Sequence, residues 1–413
     1  MSVLEDAQVM AGDLAELRRR LHREPEIGLD LPRTQEKVLH ALDGLPLEVT
    51  LGRTLSSVTA VLRGGAGPGT RAPAVLLRGD MDALPVQELT THAHASVFDG
   101  VMHACGHDLH TAMLVGAARL LAERRDRLPG DVVFMFQPGE EGWEGARHMI
   151  DEGVLDAAGP RVSAAYALHV FSAALPRAQF CGRAGAITSA SAMLRVTVRG
   201  EGGHGSMPHR ASDPVTVAAE MVLALQSMVT RRFDVFDPVV ITVGVLRAGT
   251  RRTVIPDEAV FEATVRTFSA ETGQRVEREA RRVLDGIAAA HGVGVDVEFV
   301  PERPATVNDA AAATLAARAV AETFGERRYT ELAHPLACSE DFSRVLTRVP
   351  GSLVAIGAAV AGADPRTAPF NHSPRARFDE TVLPDGAALY AELAIRALGT
   401  ASAPEPGTAL GRH

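Results

Sequence analysis

The chain has few cysteines and almost no lysine, and each shortage excludes something. Cys105, Cys181 and Cys338 are too few and too scattered for a disulfide framework, so a reducing cytoplasm is the expected compartment. Lys37 is the only lysine, so the basic residues are otherwise all arginine, a coding bias without functional meaning. No apolar run approaches the ~20 residues that cross a bilayer. The first residues, "MSVLEDAQVMAGDLAELRRR", read as an amphipathic helix instead of a basic segment followed by an apolar one, so neither a signal peptide nor a membrane partner is expected. The net charge of −9 argues against a nucleic-acid partner. No internal repeat is visible. There is no G-x-S-x-G elbow, no H-E-x-x-H, and no P-loop lysine in "GGAGPGT", which removes the usual serine hydrolase, zincin and P-loop readings.

What remains is a 413-residue chain, more than one ordinary core holds, so two domains are expected. "SVTAVL" and "AVLLRGD", joined by the turn 63–73, then a helix over 108–124, "DVVFMFQP" (131–138) and "AAYALHV" (164–170) alternate short apolar strands with a helix. That pattern predicts a mostly parallel sheet covered on both faces. After about residue 187 it changes. "AMLRVTVRG" alternates polar and apolar residues as a half-exposed strand does. A helix with Asp213 as N-cap and Pro214 at its first position follows, then two strands, a long helix over about 271–291, and a last strand. The order βαββαβ predicts a ferredoxin-like unit. Helix and strand alternate again beyond about 306. The reading is an α/β domain (1–187 and 306–400) interrupted by a smaller α+β unit (188–305), with an unstructured tail (401–413).

The chemistry concentrates in short segments. In "VMHACGHDLHTAM" (101–113), Cys105 and His107 cannot share a helical face, but a turn at Gly106 lets them converge on one ion. Asp108 is then placed to cap the helix that follows, whose dipole would favour a Cys105 thiolate. A buried cysteine beside a capping residue explains the motif equally well. "FQPGEEGWEGA" places Glu140 and Glu141 past the end of a buried strand, where one carboxylate can bind metal while the other moves protons. "RGDMDALP" ends a buried strand with Asp80 and Asp82, and a buried carboxylate that orients a ligand histidine finds its partner there. His169 lies inside an apolar strand and His372 in a proline-rich loop, where the ordinary readings are a core and a surface histidine. His22, His40, His92, His94, His148, His291 and His334 match no ligand position, while His103, His110 and His209 flank motifs. Cys181 and Cys338 read as buried small apolar residues. "GEGGHG" (200–205) fits a dinucleotide-binding spacing, but Pro208 follows before a helix can start, so the glycines do not open one.

Together, "RGDMDALP", "MHACGHDLHTAM", "FQPGEEGWEGA", "GGHGSMPH" and "NHSPRARFDE" occur in an order and spacing that resemble dinuclear-metal amidohydrolases of the hippurate hydrolase, aminoacylase and auxin–amino acid conjugate hydrolase branch, relatives of the glutamate carboxypeptidases. The resemblance covers about residues 12 to 398. It implies two divalent ions, Zn or Mn first and Co or Ni next, held by Cys105, His107, Glu141, His169 and His372, with Cys105 as the bridge. It implies Glu140 as general base, Asp82 as the aspartate behind the ligands, and the inserted unit as a lid hinged near 186–192 and 302–308. His204 and Arg266 then belong to the substrate-binding side of that lid. The implied reaction is hydrolysis of an N-acyl-L-amino acid, a small-molecule substrate. A dipeptidase or carboxypeptidase activity, or a non-catalytic metal-binding protein, is the alternative. In dimeric relatives the lid histidine comes from the other subunit; here a homodimer through the inserted unit and a monomer are both compatible with the sequence.

Three departures stand out. Gly139 replaces the usual alanine of "FQPAEE", which reads as tolerable. Thr253 replaces the usual asparagine before "VIP", which bears on how the lid holds substrate. "APFNH" differs from the commonest pattern before the last ligand.

Overall fold

The computed structural model describes residues 2–66 and 72–401. Part of the turn 63–73 and nearly all of the tail 401–413 therefore lie outside the described residues. The chain divides into two compact units, one drawn from Met1–Gly185, Val307–Ala333 and Arg344–His413, the other from Ala186–Thr306 and His334–Ser343. Residues 334–343, assigned from the sequence to the returning α/β segment, cluster with the second unit.

The first unit is built on an eight-stranded sheet. Its strands run in the order Leu47–Leu51, Val58–Leu62, Asp131–Gln137, Ala74–Asp80, Ala164–Phe171, Gly351–Gly357, Phe180–Gly182 and Tyr329–Glu331. The central four are mutually parallel. Antiparallel pairings occur toward the flanks, so Val58–Leu62 pairs with Asp131–Gln137 and not with its sequence neighbour Ala74–Asp80. Ala74–Asp80, Asp131–Gln137 and Gly351–Gly357 are buried at every position, which requires cover on both faces and explains their continuous apolar runs. Phe134, Phe136, Leu77 and Ile356 pack with Leu109, Met113 and Leu389 from the helices His107–Ala122 and Leu383–Ala401.

The second unit has a four-stranded antiparallel sheet in the order Val240–Ala248, Glu258–Thr267, Ala190–Arg199, Gly294–Arg303. Two helices, Pro214–Arg232 and Ala270–His291, share its core. In chain order this is βαββαβ. Asp213 caps the first helix by accepting from Val215 N, and Ser269 caps the second by accepting from Thr272 N. Val276, Ala280, Leu284 and Ala288 recur every four residues and form the buried stripe of the second helix. A fully buried Leu such as Leu284 contributes about 2 kcal/mol. Among the described residues no helix is long and apolar enough to cross a membrane.

Candidate metal centre

In the first unit the C-terminal ends of the parallel strands carry the chemistry, as open α/β sheets favour. Asp80 ends one strand and Asp82 follows it; Glu140 and Glu141 follow the next; His169 lies in the third. Cys105 and His107 lie beside Gly106, whose φ of +89° opens the helix His107–Ala122. A side chain at Gly106 would meet Val170 Cγ2 at 2.4 Å, so only glycine permits this turn against the strand. His372 adopts a left-handed φ of 71°, a conformation a non-glycine residue holds only when its surroundings impose it. Its backbone N–H donates to Ala104 O, and the neighbouring Asn371 donates to Cys105 O and Val170 O.

These contacts assemble two donor sets that share one sulfur. Cys105, His107 and His169 form one, and Cys105, Glu141 and His372 the other, with the donor atoms of each set within 4.8 Å of one another. Cys105 Sγ is 3.6 Å from His169 Nε2 and 3.3 Å from His372 Nε2, and His372 Nε2 is 3.1 Å from Glu141 Oε1. Tetrahedral zinc with ordinary Zn–S and Zn–N bonds separates its ligand atoms by roughly 3.3–3.6 Å, so the spacing fits.

The tautomers fit as well. His107 Nδ1 donates to Asp82 O at 2.8 Å, leaving Nε2 buried without a hydrogen-bond partner. His169 Nδ1 donates to Val170 O at 3.0 Å and turns Nε2 toward Cys105. An orphaned buried imidazole nitrogen beside a thiol is what a cation would satisfy. Asp82 accepts from the backbone N–H of Glu140 at 3.0 Å and of Glu141 at 2.9 Å, so one carboxylate orients both glutamates.

Behind the donors lies a buried network whose arginine the sequence did not single out, and in which His110, one of the histidines flanking a motif, takes part. Arg78 Nη1 donates to Asp80 Oδ2 at 2.8 Å, and His110 Nδ1 donates to Asp80 Oδ1 at 2.6 Å. His110 Nε2 then accepts from Val170 N, fixing the strand beside His169. Against burial, which works the other way, Arg78 holds the Asp80 carboxyl well below the usual carboxylate range. The one available signal was an arginine inside an apolar strand, two residues before Asp80.

Several expectations are corrected. Asp108 does not cap the helix; it is buried, with Oδ2 2.7 Å from Arg18 Nε and 2.8 Å from His22 Nδ1. At Cys105, burial, then the Glu141 charge, push the thiol up. Cys338 is exposed, not buried. Gly139 has a φ of +72°, and a Cβ there would lie 2.5 Å from Leu29 Cδ2 and 3.0 Å from Trp143 Cβ. Its alanine counterpart is therefore not interchangeable in this chain. Gly139→Ala is expected to cost about 1–3 kcal/mol through strain beside Glu140, read as a lower urea midpoint.

In the second unit, Gly203–His204 pairs with Val254–Ile255, and Gly205 N–H donates to Thr253 O, so His204 and Thr253 are neighbours. His204 is exposed, and its Nδ1 accepts from Ser206. Arg266 is not brought to them. Glu258 pairs with Arg199 at the end of the sheet near His204, whereas Arg266 pairs with Ser191 at the other end. Eight residues at about 3.3 Å each put roughly 26 Å between those ends. Glu340 and Asp341 are buried in this unit.

Metal binding by the donor sets that share Cys105 would release protons. As a ligand, Cys105 would lose one from a thiol that burial has raised. His107, where the Asp80 charge overcomes burial and raises the imidazole, would lose the proton on Nε2. His169 is held neutral by burial and contributes none. Affinity of the metal-free protein for Zn²⁺ is thus expected to rise with pH, by about tenfold per pH unit for each proton released. Competition with a chromophoric chelator at several pH values between 6 and 8 checks this; a pH-independent affinity would count against a thiolate ligand.

A model of the family described as Peptidase family M20/M25/M40 matches residues 76–396. The chain is 36% identical over 386 residues to IAA-amino acid hydrolase ILR1-like 4 of Arabidopsis thaliana, with 92% of this chain and 85% of that one covered. It is 34% identical over 388 residues to N-acetylcysteine deacetylase of Bacillus subtilis, with 94% and 97% covered. The crystal structure of the Bacillus subtilis YXEP protein, described as a dinuclear metal binding peptidase from the M20 family, matches with a TM-score of 0.81 at 32% identity, over 95% of this chain and 99% of that one.

Proposed function

The chain belongs to peptidase family M20/M25/M40, and from that membership we propose that it hydrolyses the amide bond of N-acyl-L-amino acids, releasing a carboxylate and a free amino acid. The observation that carries this reading is the sharing of Cys105 between two donor sets with Glu140 beside them. Cys105, His107 and His169 would hold one divalent ion, and Cys105, Glu141 and His372 a second. Zn suits this mix of thiolate, imidazole and carboxylate; the family resemblance puts Mn beside it, with Co or Ni next. The bound ions supply Lewis acidity, lowering the pKa of a water from ~16 towards ~7 and polarising the substrate carbonyl.

The rest is the work of side chains. Glu140, held by its backbone N–H on Asp82, takes the proton from the attacking water and passes it to the leaving amine nitrogen. Asp82 fixes His107 and both glutamates, so the base and the ligands keep one geometry. His204 would donate to the developing oxyanion, Arg266 would pair with the substrate carboxylate, and Thr253 would shape the site beside His204.

The separation of His204 and Arg266 within one second unit supports a homodimer in which each site takes one of them from its partner. Its edge strand Val240–Ala248, with Val240 and Leu246 exposed, supports the same pairing. Co-expressed Glu140→Gln and His204→Ala chains, each inactive alone, are then expected to recover roughly a quarter of wild-type activity in a symmetric dimer. No recovery from mixed dimers would refute the exchange.

The function itself is tested by incubating the metal-loaded protein with hippurate and with N-acetyl- and indole-acetyl-amino acids and measuring free amino acid. EDTA-sensitive release names the acyl group. Bound metal without release from any member of the panel would overturn the reading.

A further inference from the structure

On the far side of Asp108 lies a second group of metal-ligating side chains. His22 lies in the last turn of the helix Ala11–Arg23, and Glu88 and His92 lie on the loop that follows Leu84. Glu88 Oε1 is 3.3 Å from His22 Nε2 and 3.3 Å from His92 Nε2, and the three donor atoms lie within 4.8 Å of one another. The 3.3 Å spacing equals the ligand–ligand edge of about 3.3 Å expected around a tetrahedral zinc bound by nitrogen and oxygen.

His22 Nδ1 contacts the carboxylate of Asp108 at 2.8 Å, and an ionised carboxylate only accepts, so Nδ1 carries a proton. Nε2 faces the Glu88 carboxylate, which also only accepts, so a proton sits between them, favoured against burial by the Asp108 charge, unless a metal ion takes its place. The Asp108–His22 contact is the carboxylate–histidine arrangement that orients metal-binding imidazoles. Arg18 is nearby, but its guanidinium is paired with Asp108, and the Glu88 carboxylate is positioned by Ser96 N–H and Thr90 Oγ1, which donate to it. His103 packs beside His22 with ring centroids 6.1 Å apart, is 1% exposed, and has no hydrogen-bond partner at either ring nitrogen. His92 Nδ1 is likewise buried without a partner.

We propose that His22, Glu88 and His92 form a third divalent transition-metal site, separate from the donor sets that share Cys105, and that an ion there ties the loop of Glu88 and His92 to the helix Ala11–Arg23. Two imidazoles and one carboxylate suit Zn, Ni or Co. The loop reaches the main centre's periphery, since Leu89 N–H donates to Pro374 O, two residues beyond His372.

The test is zinc content of the full-length protein after loading with Zn²⁺ and dialysis, comparing wild type, His92→Asn, Glu88→Gln and Cys105→Ala. If both the dinuclear reading and this one hold, about three ions are expected in wild type, about two in His92→Asn and Glu88→Gln, and about one in Cys105→Ala. About two, two, two and none would overturn the third site and leave the dinuclear reading standing; about one, none, none and one would do the reverse. A second readout covers a variant that fails to fold. Anomalous diffraction at the zinc edge from wild-type crystals should show a peak between His22 Nε2, Glu88 Oε1 and His92 Nε2. Its absence in zinc-loaded crystals would mean that a proton on an imidazole holds this cluster together.

Discussion

Glu140→Gln should leave the metal content of the protein unchanged and lower kcat by at least about 10²–10⁴-fold. The substitution keeps the size of the side chain and removes only its ability to take a proton. The backbone N–H of Glu140 still donates to Asp82 Oδ1, so the loop and Glu141 keep their places. Both donor sets that share Cys105 are intact, since Glu140 belongs to neither. Substrate binding is made elsewhere, so KM should change little while kcat falls. Glu141→Gln should behave differently: it weakens a donor of the second set, and metal content and activity fall together. Near-normal kcat in metal-replete Glu140→Gln would remove Glu140 from the role of base.

Arg78→Met should destabilise the first unit by about 3–5 kcal/mol, the cost of leaving a buried carboxylate without its counter-charge. Arg78 and Asp80 are both fully buried and joined at 2.8 Å, and Arg78 Nε donates to Gln137 Oε1 at 2.9 Å. These bonds tie the strand Ala74–Asp80 to its neighbour Asp131–Gln137, which leads to Glu140. Without the guanidinium, Asp80 keeps His110 but loses its only permanent positive partner among the described residues. Arg78→Met combined with Asp80→Asn should cost less than the sum of the single changes, because the second removes the charge stranded by the first. The urea midpoint of each variant measures this. A loss below about 1 kcal/mol for Arg78→Met would mean that Asp80 finds its compensation elsewhere.

The two kinds of residue in these experiments were not equally legible. Glu140 stood out because two adjacent carboxylates after an apolar strand have no cheap structural use. Arg78 did not, because an arginine two residues before an aspartate is common, and only the pleat, which puts both side chains on one face, makes them a pair. His92 and His22 are 70 positions apart in chain order, and nothing local in "THAHAS" announces that its loop folds over the N-terminal helix. Asp108 misled for a related reason. An acidic residue at a helix start ordinarily caps it, but here the helix begins one residue earlier at a left-handed Gly106, which turns Asp108 inward to Arg18 and His22.

The alternation of short apolar strands and helices, the βαββαβ run and the donor motifs at strand ends are local patterns, and the sequence by itself determined them. Burial on both faces demands continuous apolar strands, half-burial demands alternation, and metal-ligating side chains at loop positions need no partner nearby in the chain. Long-range closure was decided only in the tertiary structure. It placed Val58–Leu62 against Asp131–Gln137, joined Cys105 to a histidine 267 residues away, and put Arg266 at the end of its sheet away from His204. Such contacts depend on which strands neighbour each other and in what register, and a single chain's composition and periodicity carry no record of either.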